Sequence, residues 1–176
     1  VYPSAQLYKD KEVPQAVASG AVEMGVAALT RFVGTIPAVD LFYVPFLFAD
    51  EDAVKNAVAK GSPVRQPIDD AVLKTGARIL WWQAYGGAVF LSNDFDIRSP
   101  ADLKGKKVRV FSKTLGALVE AAGGAATSIS GSEQFLAYQR GTVDVGITGV
   151  TAVQKRKLYQ VMNTLTATKS MVDIEF

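Results

Sequence analysis

The chain has 176 residues, 49% of them hydrophobic and 20% charged, with a formal net charge of +2. Such a composition belongs to a globular protein of one domain or two small ones, and the charge is far too small for binding nucleic acid by phosphate neutralisation. With neither histidine nor cysteine present, the usual neutral-pH base, thiol nucleophiles, disulfides and zinc–thiolate sites are excluded.

In chain order, "VYPSAQL" reads as the end of a strand already under way at Val1 and Tyr2. Helices are predicted over about 10–19, 51–60, 66–75, 113–122 and 132–140. Strands are predicted at 22–28, 77–83, 107–111, 143–148 and 160–167. Asp10 and Asp102 have the character of helix-start residues, and the acidic "ADEDA" (49–53) begins a solvated helix rather than a metal site. Trp81 and Trp82 are adjacent in an apolar strand, which turns them to opposite faces; one belongs to a core and the other is free to line a pocket. The closing "MVDIEF" reads as the start of another strand. With no start methionine, signal peptide or targeting tail visible, the sequence is expected to be a piece of a longer protein. No run approaches about 18 apolar residues, so no membrane-spanning helix is predicted. Short β-rich runs alternating with helices argue for α/β architecture with mainly parallel strands.

Two stretches echo each other, "QAVASGAVEMGVAAL" (15–29) and "LAYQRGTVDVGITGV" (136–150). Gly20 matches Gly141, Glu23 matches Asp144 and Gly25 matches Gly146. Gly20 and Gly141 are placed just past helix ends, where the left-handed region is cheap only for glycine. Reuse of a common helix–Gly–strand unit explains the echo, and so do two similarly built lobes facing one cleft. On the second reading Ala27 and Thr148 stand at equivalent strand ends, where open α/β sheets hold ligands.

The stretch "DLKGKKVRVF" (102–111) embeds Arg109 between Val108 and Val110. An edge-strand arginine lying over apolar neighbours with its head in water is one reading. The following "FSKTLGALVEAAGG" favours another: a helix capped by Ser112, so that Arg109 stands where a strand feeds a helix N-terminus, a setting that suits a carboxylate. Lys104, Lys106 and Lys107 read as a solvated turn. Glu133 completes an S-x-x-E capping box with Ser130, with a second role near a cleft also open to it. Among nucleotide and hydrolase motifs there is no G-x-S-x-G, P-loop or strand-to-helix G-x-G-x-x-G, so an enzyme is disfavoured; no base better than Glu133 is on offer.

Taken together, "VYPSAQL", "ASGAVEMGV", "YVPFLF", "SPADLKGKKVRVF", "SEQFLAYQRGTVDVG" and "KLYQV" resemble, in order and spacing, the solute-binding proteins of TRAP transporters, the DctP family. The resemblance runs over essentially the whole chain. It implies a two-lobed periplasmic-binding-protein-like (Venus flytrap) α/β fold with largely parallel sheets, here partial. Lobe one covers 1–86, lacking its first strand and helix; lobe two covers 87–173; 174–176 begin a strand returning through the hinge. Arg109 takes the place of the family's carboxylate-clamping arginine, with Ser112 and Thr148 near the acid and Arg31 in the first lobe's cleft. Val89 stands where many members carry a second arginine, Ala28 at an acidic or polar position, and Gly131 where an aromatic packs on the ligand two residues before Glu133. The implied ligand has one carboxylate and few hydroxyls, such as a small 2-hydroxy, 2-oxo or aromatic acid. The resemblance further implies a periplasmic monomer, a membrane permease as partner, and neither cofactor nor metal; a sensory domain of the same fold is the alternative.

Overall fold

Val108, Val110, Val145 and Ile147 alternate with small or polar residues along two short runs, the period-2 pattern of strands with an apolar face. The sheet is built around that pair. The computed structural model describes residues 1–3 and 5–175, with the side chains of all of these except 85 and 169–175. Its strands are β1 (Gln83–Ser92), β2 (Lys107–Val110), β3 (Ala125–Ser128), β4 (Val145–Gly149) and β5 (Thr164–Glu175), in the order β3-β2-β4-β1-β5. The helices are α1 (Val13–Ala18), α2 (Glu51–Val58), α3 (Arg65–Leu73), α4 (Lys113–Ala121), α5 (Gln134–Gln139) and α6 (Val150–Lys155). β2 is parallel to both β3 and β4, while β1 is antiparallel to β4 and β5. Four of the five strands therefore point the same way, as the expected α/β class requires.

The sheet separates two cores. Phe90, Val108, Val110, Val145 and Ile147 pack on one face with Leu29, Phe42, Tyr43, Ile68 and Val72. Val89 and Leu91 turn to the other face, where Tyr138, Ala152 and Leu158 cover them. α1 and α5 both end as the glycine echo predicts: Gly20 (φ 75°) and Gly141 (φ 63°) are left-handed. In each case the two following N–H groups close back on the last turn, Gly20 on Val17 and Ala21 on Ala16, Gly141 on Tyr138 and Thr142 on Ala137.

The elements differ from expectation in several places. Residues 22–27 and 77–82 form no strand, because a strand exists by its ladder and neither run pairs with one among the described residues. Together they flank a cavity of about 560 Å³ lined by Val17, Met24, Ala27, Val72, Ile79 and Trp81 among others. Trp82 packs on the core while Trp81 is exposed. The glycine-rich run 86–90 lies inside β1, whose pairing with β5 shifts between Ala84 and Gly86 and again between Gly87 and Val89; Gly86, at φ 97°, supplies the conformation this irregularity demands. β3 ("AATS") and α6, which follows β4, were not among the predicted elements. Val1 and Tyr2 are not strand, and Phe176, the last residue of the expected return strand 174–176, lies outside the described residues. No helix among the described residues is long and apolar enough to cross a membrane.

Candidate functional site

Parallel neighbours share a face, so Arg109 of β2 lies beside Gly146 of β4, with Thr148 two residues further along that face and Val89 of β1 opposite Thr148. Arg109 is 2% exposed. Its Nε donates to the Ile129 carbonyl at 2.9 Å and its Nη1 to the Ile147 carbonyl at 2.6 Å. The guanidinium also stands 5.0 Å from the Phe111 ring centre. It therefore sits where β2, β3 and β4 end, at the carboxyl edge of the parallel strands.

Gln134 is fully buried against it. An amide nitrogen turned to the guanidinium would set donor against donor, so the oxygen faces it. Oε1 then accepts from Nη1 at 2.6 Å and Nη2 at 2.9 Å, and from the Thr148 hydroxyl at 3.3 Å. One helical turn on, Tyr138 crosses β4 at Gly146: a Cβ there would lie 1.9 Å from the Tyr138 hydroxyl and 2.3 Å from Cζ. That hydroxyl is buried without a hydrogen-bond partner. Burial pushes its pKa up to about 12, against the opposing pull of the Arg109 and Arg156 guanidinium groups.

Ser112 accepts from the Leu115 N–H at 3.0 Å and caps α4. A second acceptor meets the same helix end: Asp40 takes the Thr114 N–H at 3.1 Å and the Thr114 hydroxyl. The anion-favouring terminus of α4 is thus already met by a carboxylate of the chain itself. Among the described residues no acidic cluster is placed to hold a metal ion.

The model of the family described as bacterial extracellular solute-binding protein, family 7 (DctP), matches residues 1–174. The chain belongs to this family. A C4-dicarboxylate-binding periplasmic protein DctP of Rhodobacter capsulatus is 33% identical over 147 residues, 82% of this chain and 43% of that one. A protein of the same description from Vibrio cholerae serotype O1 is 30% identical over 172 residues, 96% of this chain and 50% of that one. The TRAP periplasmic solute-binding protein of Sulfurospirillum deleyianum, solved with bound succinate, has a TM-score of 0.86 at 28% identity, over 97% of this chain and 55% of that one. The chain spans about half the length of the curated relatives it matches. These relatives are solute-binding proteins, not enzymes.

In this family 7 chain the candidate residues form two clusters. Around Arg109 are Thr148 and Val89, with Ser112 three residues along the chain. Around Asp10 are Ala28, whose N–H donates to its carboxylate at 3.0 Å, and Arg31, which forms an ion pair with it. Glu133 links the two: its carboxylate accepts from Lys9 at 2.8 Å, and its neighbours in sequence and across the pair are Gln134 and Asp10. The Ser130 side chain makes no cap hydrogen bond and pairs with the Ser132 hydroxyl at 3.1 Å instead, while the Glu133 carboxylate, besides Lys9, also meets the Ser130 backbone. Glu133 is consequently held below the usual carboxylate range and Lys9 above its own, each chiefly by their mutual hydrogen bond. Gly131 is buried beneath Arg156: a Cβ on it would meet that guanidinium at 2.7–2.8 Å. Gln134, Lys9, Asp40 and Arg156 were not among the sequence candidates. Only Gln134 carried a signal, a polar side chain one turn before Tyr138 on the face that also buries Ala137.

Proposed function

We propose that this chain is part of the extracytoplasmic solute-binding protein of a TRAP-type transporter, which captures a small organic acid on Arg109 and delivers it to a membrane permease. In this reading 1–86 and 87–173 are two lobes, 174–176 return through the hinge, and the acid is enclosed between them. The observation that carries the proposal is the setting of Arg109. Three uncharged oxygens, of Ile129, Ile147 and Gln134, fix the direction of a buried guanidinium at the carboxyl edge of the sheet. A carboxylate arriving there meets a cation already oriented, so little ordering remains to be done on binding. Thr148 adds a hydroxyl on the same Gln134 oxygen, Ser112 follows three residues along the chain, and Arg31, Ala28, Glu133, Val89 and Gly131 shape the surroundings. Relatives named for C4-dicarboxylates, and one solved with succinate, support small carboxylates as the ligand class.

The test is calorimetric titration of a panel of small acids. Arg109→Ala leaves the bound acid desolvated and unpaired, an expected cost of about 3–5 kcal/mol, or a loss of at least roughly 10²-fold in affinity. Arg109→Lys fails to restore binding, because the planar fork is lost. Unchanged affinity in Arg109→Ala sinks the assignment.

A further inference from the structure

The family resemblance implies, through Val89, Ala28 and Gly131, a ligand with a single carboxylate. A side chain outside those candidates points elsewhere. Arg156 follows the last residue of α6, a helix that turns back directly from the end of β4. Its guanidinium does not simply trail from the helix: it lies against Gly131. The Cβ position of residue 131 is 2.7 Å from Nη2, 2.8 Å from Cζ and 2.8 Å from Nη1. Three near-equal distances mean that the plane of the group is laid over the glycine rather than pointed at it end-on. A positive charge near a helix C-terminus is ordinarily explained by the helix dipole. That accounts for a cation at residue 156, and not for its seat on a buried glycine of another element.

The seat places it beside the Arg109 cluster. Gly131 is two residues beyond Ile129, whose carbonyl holds Arg109 Nε, and three before Gln134, whose amide oxygen holds both Nη atoms. Two guanidinium groups from different elements are therefore anchored on one short segment, 129–134. Both also act on the Tyr138 phenol, drawing its pKa down against the effect of burial.

We infer that Arg156 is a specificity-determining residue, the second cation of a site that selects acids bearing two anionic groups, and that glycine at 131 is what seats it. This rests on the reading that Arg109 holds the first carboxylate. A larger residue at 131 would occupy the place of the guanidinium, so glycine at this position is the condition for the second charge.

The experiment compares chain-matched acids by calorimetry: succinate with butanoate, and glutarate with pentanoate. The expected result is a preference for the diacid of at least about ten-fold in one pair, the scale of a charge-assisted pair. Arg156→Ala abolishes the preference by weakening the diacid and leaves the monoacid within about two-fold. Gly131→Ala, which pushes the guanidinium off its seat without an unfavourable φ, weakens the diacid in the same direction. Equal weakening of both acids by Arg156→Ala, no change in either, or no diacid preference in either pair overturns the inference. Arg109→Ala run alongside separates the two readings: it removes both acids if Arg109 is the carboxylate site, and if both persist that site assignment fails whatever Arg156 does. Binding of none of the four acids by the parent protein overturns the inference for Arg156.

Discussion

Gly146 is the residue on which the site's geometry turns, since the Tyr138 ring passes where any side chain would be. A Cβ at 1.9–2.3 Å from the phenol cannot be absorbed by small shifts, because backbone on one side and a buried ring on the other must separate. Gly146→Ala is expected to destabilise the fold by about 1–3 kcal/mol or more and to disorder the Arg109 cluster, seen as a lowered Tm together with lost acid binding. Tyr138→Phe acts in the opposite sense. Its hydroxyl is buried and unbonded, so removing it returns a desolvation cost of about 1–3 kcal/mol, and the Tm should rise or hold. The pH dependence follows from the raised pKa. An unfolded tyrosine ionises near 10 and the folded one near about 12, so this contribution is complete below pH 10 and is lost as pH climbs from 10 to 12. The loss approaches about 3 kcal/mol; chemical denaturation across that range should show a slope that Tyr138→Phe lacks. Gln134→Glu puts a carboxylate within hydrogen-bonding distance of the guanidinium, and is expected to steady the fold while displacing the acid ligand. Of these residues Arg109 was legible in sequence, because a cation inside an apolar strand is costly and conspicuous. Gln134 and Tyr138 were not: Gln134 matters by meeting Arg109 and Thr148 and Tyr138 by crossing Gly146, contacts that only the tertiary fold makes.

At the scale of elements, local chemistry was readable and pairing was not. Ser112, the left-handed glycines 20 and 141, and Asp50, which accepts from the Ala53 N–H at 2.8 Å, mark helix ends by interactions that span a few residues. β3 and the middle of β1 consist of small residues and owe their strand character to neighbours distant in sequence, so periodicity had nothing to report. The Lys9–Glu133 pair is of the same long-range kind, tying the turn before α1 to the turn before α5. Glu133's depressed pKa means its contribution is present above the ordinary glutamate range and fades as pH falls through it. Lys9's raised pKa means its share is present below the ordinary lysine range and fades as pH rises past it. Between those limits the pair should tighten acid binding slightly, and because both groups are exposed the effect should vanish near 1 M salt. A Lys9→Met and Glu133→Gln cycle read as acid affinity tests this. Additive single effects at low salt would show that the pair does not couple the two clusters.

For the whole molecule, the proposed lobes communicate through β1 and β5, which run antiparallel over nearly their full length. That ladder is regular from Val89 to Ser92 and irregular between Ala84 and Val89, so a rotation of one lobe against the other would concentrate where hydrogen bonding is already broken. Gly86 sits there at φ 97°, and a Cβ would lie 2.6 Å from Val150 Cγ1 of α6. A hinge at this point would link the proposed closing motion to α6, which begins two residues past Thr148 and is followed by Arg156. Small-angle scattering should then show the radius of gyration falling when a saturating acid is added, with a Tm that rises by mass action. Arg109→Ala should lose both responses, because no acid is held to draw the lobes together. Gly86→Ala should bind more weakly and compact less at saturation, since the strained backbone and the Val150 contact oppose the bend while Arg109 is untouched. A radius of gyration indifferent to a saturating acid in the parent protein would mean that 1–86 and 87–173 do not move as separate bodies, and the clamshell reading of the sheet would have to be given up even if Arg109 binds its carboxylate.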